Sequence, residues 1–128
     1  MAYTTIDDPG LFFNTVLYTG DGSGATVSGV GFQPDLNWTK SRSSAINHAL
    51  TDSVRGAQKT SYSNLTAEED DVSNGLTAFN SDGYVHGDHV LWSTSSATFV
   101  SWNWKAGTTG SGTTTGSGTG KAYSYSVS

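Results

Sequence analysis

The sequence predicts an all-β fold, an antiparallel β-sandwich of jelly-roll type. Only 13% of the 128 residues are charged, against about 25% in an average domain, and Ser, Thr, Gly and Asn take their place. β-Branched Thr packs well on a pleated strand, while Gly and Asn supply turn geometry. About eight to ten short alternating segments, separated by turn signals, recur at the spacing typical of sandwiches and barrels.

The chain has the length of one domain, and four segments of it are predicted to differ in character. Residues 1–10 form an extended N-terminal arm that ends at a Pro-Gly pair, because the residue before Pro avoids the helical region. Residues 11–107 form the sandwich. Residues 108–120 contain only Gly, Ser and Thr and predict a flexible connector. Residues 121–128 predict a C-terminal strand that either closes the sheet of its own chain or pairs with a neighbouring subunit.

The first half of the sandwich is predicted to hold four strands. Residues 11–19 alternate aromatic and β-branched side chains with polar ones. The glycine-rich turn 20–24 joins them to a second strand at 25–30, and the two are predicted to pair as a hairpin. Alternation continues at 36–40, the third strand, and residues 47–52 predict the fourth.

Residues 53–75 fit no single element. Thr66 with Glu69 three residues later resembles the start of a helix. No apolar face follows, so we expect at most one surface turn in this segment.

The second half is predicted to hold four more strands. Residues 76–79 and 83–86 flank a turn signal and are expected to pair. A short strand is predicted at 90–92, and residues 98–105 have the clearest period-2 pattern in the chain. Three large apolar residues of this last strand share the face that is predicted to lie in the core: Val100, Trp102 and Trp104.

Charge and hydropathy exclude several classes of protein. The net charge is −5 and the six Lys and Arg are scattered, whereas nucleic-acid binding needs clustered positive charge. No run approaches the roughly 20 apolar residues of a membrane helix. The N-terminus lacks the basic and apolar regions of a Sec-type signal, so synthesis is expected to end in the cytoplasm. The absence of Cys excludes thiolate sites.

The strongest metal-site candidate is a cluster of two Asp and two His within eight residues, which are nitrogen and oxygen ligands suited to zinc. Its members are Asp82, His86, Asp88 and His89. No defined metal motif has this spacing. The alternative is a solvated turn in which the Asp and Gly residues fix the shape of the backbone. Asp21 and the acidic run 68–71 likewise do not match a calcium loop. We therefore predict neither a metal nor a cofactor.

Catalysis is not indicated. The many Ser residues include none in a G-x-S-x-G elbow, and Glu68 and Glu69 are the only glutamates for a glycosidase pair. The four Trp residues could form a sugar platform, but Trp102 and Trp104 share the apolar face with Val100, which favours a core role. The arm and the last strand are better placed to reach a neighbour. Five of their residues are the predicted interface residues: Tyr3, Ile6, Tyr123, Tyr125 and Val127.

Five short stretches occur in a recognisable order along the chain. They are FFNTVLYTG (12–20), VGFQPD (30–35) with Trp38 and Lys40 after it, DSVRG (52–56), LTAFNSDG (76–83) and FVSWNWKAG (99–107). This succession resembles a family of virion proteins of tailed bacteriophages, especially marine and cyanobacterial ones. The repeated domains of that family look like concanavalin or SPRY β-sandwiches.

The resemblance implies a non-enzymatic structural protein of the virion, made in the host cytoplasm. It would be a tail-fibre or tail-associated subunit, or a protein that decorates the capsid. It implies a homo-oligomer of closed cyclic symmetry, expected to be a trimer, which contacts other virion proteins. The alternative is a lectin-like module that binds host-surface polysaccharide through exposed Trp or Tyr. The resemblance transfers no catalytic residue.

Overall fold

The computed structural model describes residues 8–106, 108–113 and 122–127. Within these ranges the fold is antiparallel β with one short helix, α1 (Val90–Ser93), which confirms the all-β prediction. The strands are β1 Phe13–Thr19, β2 Ala25–Val27, β3 Leu36–Ser41, β4 Ala49–Asp52, β5 Lys59–Tyr62, β6 Asp70–Asp71, β7 Leu76–Asn80, β8 Gly83–His86, β9 Thr98–Trp104, β10 Thr108–Thr113 and β11 Ala122–Val127. No helix in these ranges has the length and apolarity needed to span a membrane.

The strands form three sheets. The largest has the order β1-β9-β3-β4-β5-β6, and the second has the order β2-β8-β7. β9 lies between β1 and β3, so that Trp104 is opposite Phe13 on one side and opposite Leu36 on the other. β10 and β11 pair with each other and with no other strand of the described residues.

The first two sheets share one hydrophobic core, as in a β-sandwich. The helix α1 supplies its largest member, because the Trp92 side chain is fully buried. Burial of an aromatic side chain of this size removes about 150–250 Å² from water, so α1 contributes far more to the core than its length indicates. The core cluster consists of Val27, Ala49, Val72, Leu76, Tyr84, Leu91 and Trp92.

Several predicted strands and one predicted pairing are confirmed. β3 and β4 lie where alternation places them, and β7 pairs with β8 around the predicted turn. Gly83 closes that turn with φ of +148°, and a Cβ there would lie 2.0 Å from the Val27 carbonyl oxygen. Only glycine fits this position without moving the backbone.

The predicted hairpin of residues 11–19 with 25–30 is wrong. β1 pairs with β9 and β2 pairs with β8, so the glycine-rich turn carries the chain from one sheet to the other. Gly20 is held by the segment before β9, since its N–H donates to the Ala97 carbonyl and its carbonyl accepts from Ser96 N–H. These long-range bonds direct β2 away from β1.

Two local assignments are also wrong. Residues 90–92, predicted as a strand, belong to α1, whose N-cap is His89, with the Leu91 N–H 3.4 Å from His89 Nδ1. Three consecutive apolar residues carry too little periodicity to separate a strand from a helix. Within 65–71, where the sequence predicts at most one helical turn, the structure has strand β6, and Lys59 on β5 pairs with Asp71.

The predicted core face of β9 is wrong as well. Trp102 and Trp104 are only half-buried and lie on the outer face of the large sheet, although Val100 beside them is buried. The side chains on the opposite face, Ser101 and Asn103 among them, are fully buried against the second sheet. Polarity therefore does not separate the inside of this sheet from the outside.

Hydrogen bonds explain how the inner face can be polar. Asn37 Nδ2 donates to Asn103 Oδ1 over 2.8 Å, and Thr39 Oγ1 donates to Asn37 Oδ1 over 2.8 Å. Asn103 Nδ2 in turn donates to Ser101 Oγ over 3.1 Å. Buried polar groups are tolerated when they are paired in this way. The Tyr84 ring packs in the same layer, and burial raises the pKa of its phenol.

The terminal predictions lie partly outside the described residues. Residues 1–7 of the predicted arm, which include Tyr3 and Ile6, lie outside the described residues. Residues 9–11 form a single 3-10 turn. Residues 108–113, predicted as connector, form β10 and pair within the chain with β11, which places Tyr123 and Tyr125 opposite Gly112 and Gly110 in the register.

Candidate functional site: an aromatic sheet face

The outer face of the large sheet carries two cross-strand aromatic pairs. The register places Trp38 opposite Trp102 and Phe13 opposite Trp104. The ring centroids of each pair are 5.1 Å apart, with interplanar angles of 48° and 47°. Because side chains alternate along a strand, all four rings lie on the same side of the sheet. Such tilted pairs stabilise neighbouring strands beyond their buried area.

Apolar side chains surround the four rings. Much of this face is in contact with solvent. Leu17 is 60% exposed and Phe13 is 39% exposed, while the three Trp side chains are half-buried. We call this surface the outer aromatic face. It consists of Phe13, Leu17, Leu36, Trp38, Leu50, Val100, Trp102 and Trp104.

Charged and polar groups border the outer aromatic face. Lys40 lies at one end of β3, where its Nζ donates to the Ser41 carbonyl over 3.0 Å. Asp52 lies at the end of β4 and pairs with Arg55, which also reaches Glu69. An apolar centre with a polar rim is the usual anatomy of a protein-binding surface.

Two of the four carboxylates in the acidic run 68–71, which the sequence raises as a calcium candidate, form ion pairs with neighbouring side chains. Arg55 pairs with Glu69, and Lys59 pairs with Asp71. Asp70 Oδ2 accepts a hydrogen bond from the Tyr62 hydroxyl over 3.0 Å. These contacts leave the run as an ordinary ion-paired surface.

Asp82, the first member of the predicted metal cluster, fixes a loop. Its carboxylate accepts hydrogen bonds from Gly29 N–H over 3.0 Å and from Gly31 N–H over 2.7 Å. Both glycines have positive φ, so the carboxylate holds a backbone conformation that only glycine adopts readily. The same two bonds hold the pKa of Asp82 below its ordinary value.

The other three members serve different contacts. Asp88 accepts from Asn74 Nδ2 over 2.7 Å, His89 caps α1, and His86 is buried beside Tyr84. Within the described residues, no three His, Asp or Glu side chains come close enough together to hold a metal ion. The structure therefore does not bring the four residues together.

A cavity of about 230 Å³ opens between β1 and β2. Tyr18 and His86 line it with stacked rings, 5.6 Å apart at their centroids, and Asp21 and Ser93 line its rim. Asp21 Oδ1 already accepts from Ser23 N–H and Ser23 Oγ, each over 2.8 Å, which closes its turn. Sequence reasoning missed the cavity because its lining comes from four separate segments.

The N-cap of α1 predicts a pH dependence of stability. Burial lowers the pKa of His89 below its ordinary value of 6.5, while Asp88 and Asp70 act in the opposite direction. Above pH 6.5 the residue is neutral in both states; below it the unfolded chain takes up the proton more readily, so stability falls as the pH falls. We expect His89→Asn, which keeps a cap acceptor but cannot titrate, to flatten the decline of Tm between about pH 7 and 5.

Melting curves monitored by circular dichroism across that pH range measure this effect. The variant to compare with His89→Asn is His48→Asn, because it replaces a second histidine whose pKa is lowered by burial and by Lys40. Parallel Tm profiles for the original chain and His89→Asn would contradict the assignment.

Comparisons with known proteins give one match. No curated protein and no solved structure matches the chain. Residues 8–126 match a protein-family model, DUF7483, which is described only as a domain of unknown function. That range includes β1 to β9 and the outer aromatic face. The chain therefore belongs to the DUF7483 family.

Proposed function

We propose that this chain is a non-enzymatic structural subunit of a bacteriophage virion that acts by binding neighbouring subunits. The observation that carries the proposal is the outer aromatic face. Soluble monomers rarely leave a large contiguous apolar patch open, and such patches usually mark a binding surface. The phage setting comes from the resemblance described above, which extends over the strands that build this face.

The composition of the face fits protein binding. Trp and Tyr are enriched at the centre of interfaces, where they supply most of the binding energy, and a charged rim adds specificity. Trp38, Trp102 and Trp104 occupy the centre, with Lys40 and Asp52 at the border. A sheet fixes these rings rigidly, so little conformational entropy is lost when a partner covers them.

The finer fold type belongs to the same proposal. We infer a jelly-roll sandwich of concanavalin-like type, in a homo-oligomer located in the tail or on the capsid. The second candidate function is a lectin-like module that binds host-surface polysaccharide. The Trp38–Trp102 pair favours it, because partly exposed indole rings can stack on sugar rings.

Both functions are tested with the same variant. Particles of the phage that encodes the chain are purified through two density gradients and labelled with a gold-coupled antibody against the chain. We expect the chain to sediment with intact particles, and Trp102→Ala to reduce its incorporation about tenfold or more. The matched control is Val54→Ala, at a residue that is 93% exposed in the turn after β4 and does not belong to the outer aromatic face.

Two outcomes would decide between the functions. Intact particles that lack the chain would contradict the structural role. Retention of the unmodified chain on a glycan array, lost in a folded Trp102→Ala variant, would favour the lectin-like role instead.

A further inference from the structure

We propose that β1 pairs edge to edge with β1 of a second copy of this chain, antiparallel and centred on Thr15. The inference rests on the proposed function, in which the chain binds its own copies. It adds the interface and its symmetry. The partner is another identical sandwich, and the two large sheets join into one sheet across a two-fold axis, in place of the three-fold symmetry expected from the sequence.

β1 is an unprotected edge. The two packed sheets have four edge strands within the described residues, β1, β2, β6 and β7. Proteins block unwanted pairing with short strands, charges or bulges. β2 has three residues, β6 consists of two aspartates, and the register of β7 shifts between Leu76 and Ala78. β1 has seven residues in uninterrupted register with β9 and carries none of these devices.

The backbone of β1 is oriented for such pairing. Phe12 and Gly20 direct their main-chain groups to the segments around β9, since the Phe12 carbonyl accepts from Lys105 N–H and Gly20 N–H donates to Ala97. Main-chain groups alternate sides along an antiparallel strand. Phe13, Thr15, Leu17 and Thr19 therefore direct theirs to the outer edge. Among the described residues, the neighbouring Asn14 side chain alone accepts from Thr15 N–H there, over 2.8 Å.

The exposed side chains are complementary about Thr15. With Thr15 opposite Thr15 of the second copy, Phe13 lies opposite the second copy's Leu17, and Leu17 opposite its Phe13. These are the two most exposed apolar side chains of β1, at 39% and 60%. Antiparallel neighbours in register bury such side chains against each other. The three facing pairs would form about six main-chain hydrogen bonds.

Charge permits two copies to meet at this edge. The chain has a net charge of −5, so identical copies repel each other over most orientations. Residues 9–20 contain no charged side chain, and the nearest ones are Asp8 and Asp21 at its two ends. The edge of β1 is thus an uncharged strip with an aspartate at each end.

Sedimentation velocity on the full chain tests the inference. Seven residues a side is small beside the roughly 20–30 of a standard interface, so we expect a dimer with a Kd of about 1–100 micromolar. Deuterium exchange is the second readout, because the amides of Phe13 and Leu17 become protected as dimer forms and would stay open in a dimer built on the outer aromatic face. A chain that is monomeric at every concentration overturns the inference.

Charge variants test the register. We expect Leu17→Lys alone and Phe13→Glu alone each to weaken dimerisation about tenfold, and an equal mixture of the two to recover it, because the introduced charges then face each other. Thr15→Lys places two like charges together on the axis and should also weaken the dimer. Val54→Lys, at a residue 93% exposed in the turn after β4, is the control. A mixture no stronger than either variant alone overturns the register.

The outcomes separate this inference from the proposed function. A chain that is monomeric in solution yet incorporated into particles overturns the β1 pairing and leaves the structural role supported. A β1 dimer that is absent from particles supports the pairing and overturns the structural role.

Discussion

Replacing Trp92 with alanine is expected to lower the free energy of unfolding by about 3–5 kcal/mol. Its side chain is fully buried in the core cluster that joins the two sheets. The indole also packs directly on Gly75, where an added Cβ would lie 2.8 Å from Trp92 Cζ3, so the surroundings cannot easily close over the cavity. Since domains are stable by about 5–15 kcal/mol, this one change removes a large share of the total.

Urea denaturation followed by circular dichroism measures this loss. Trp104→Ala is the matched control, because that indole is half-buried and its main ring contact is Phe13, a pair worth about 0.5–1.5 kcal/mol. We expect a clearly smaller loss for Trp104→Ala. Equal losses for the two variants would place Trp104 in the core, as the alternation of β9 first indicated.

Much of the secondary structure could be predicted because it depends on neighbouring residues. β3, β4 and β9 follow from alternation, and the β7–β8 pair follows from a turn signal between two short runs. Strand partners were harder, since they depend on contacts between distant parts of the chain. β1 pairs with β9, whose residues follow their partners by 79 to 91 positions, and nothing in residues 11–30 indicates this.

The inner face of the large sheet shows why the core face of β9 was predicted wrongly. Counting apolar side chains assigns Trp102 and Trp104 to the core and Asn103 to solvent. The structure reverses this, because Asn103 meets Asn37 from a strand 66 residues away and both amides are satisfied. A hydrogen bond of that range leaves no periodic signal in the sequence.

The candidate site was predictable only in part. The sequence places the Trp residues of β9 on one face and leaves a platform of exposed rings open as an alternative to a core role. The outer aromatic face also needs Trp38 and Phe13, and these lie beside the Trp residues of β9 only because of the strand order. Alternation along the sequence does not predict strand order. The cluster of Asp82 and His86 is close in sequence, yet each side chain turns to a different structural contact.

Replacing Asn103 with alanine is expected to cost about 2–4 kcal/mol. The change leaves Asn37 Nδ2 without its acceptor and Ser101 Oγ without a donor, in a layer that water does not reach. Each buried polar group left unpaired costs about 1–3 kcal/mol, and the lost volume adds to that. Denaturation midpoints measure the loss, and Asn74→Ala, which removes only an exposed bond to Asp88, is the control.

A double-mutant cycle with Asn37→Ala tests whether the two amides act as a pair. Once Asn103 is gone, Asn37 Nδ2 is already unpaired, so removing Asn37 as well should cost less than it does in the original chain. We expect the two losses to fall short of additivity by about 1–3 kcal/mol. Fully additive losses would mean that each amide is satisfied independently, and the polar layer would then be a set of separate bonds rather than a connected network joining β3 to β9.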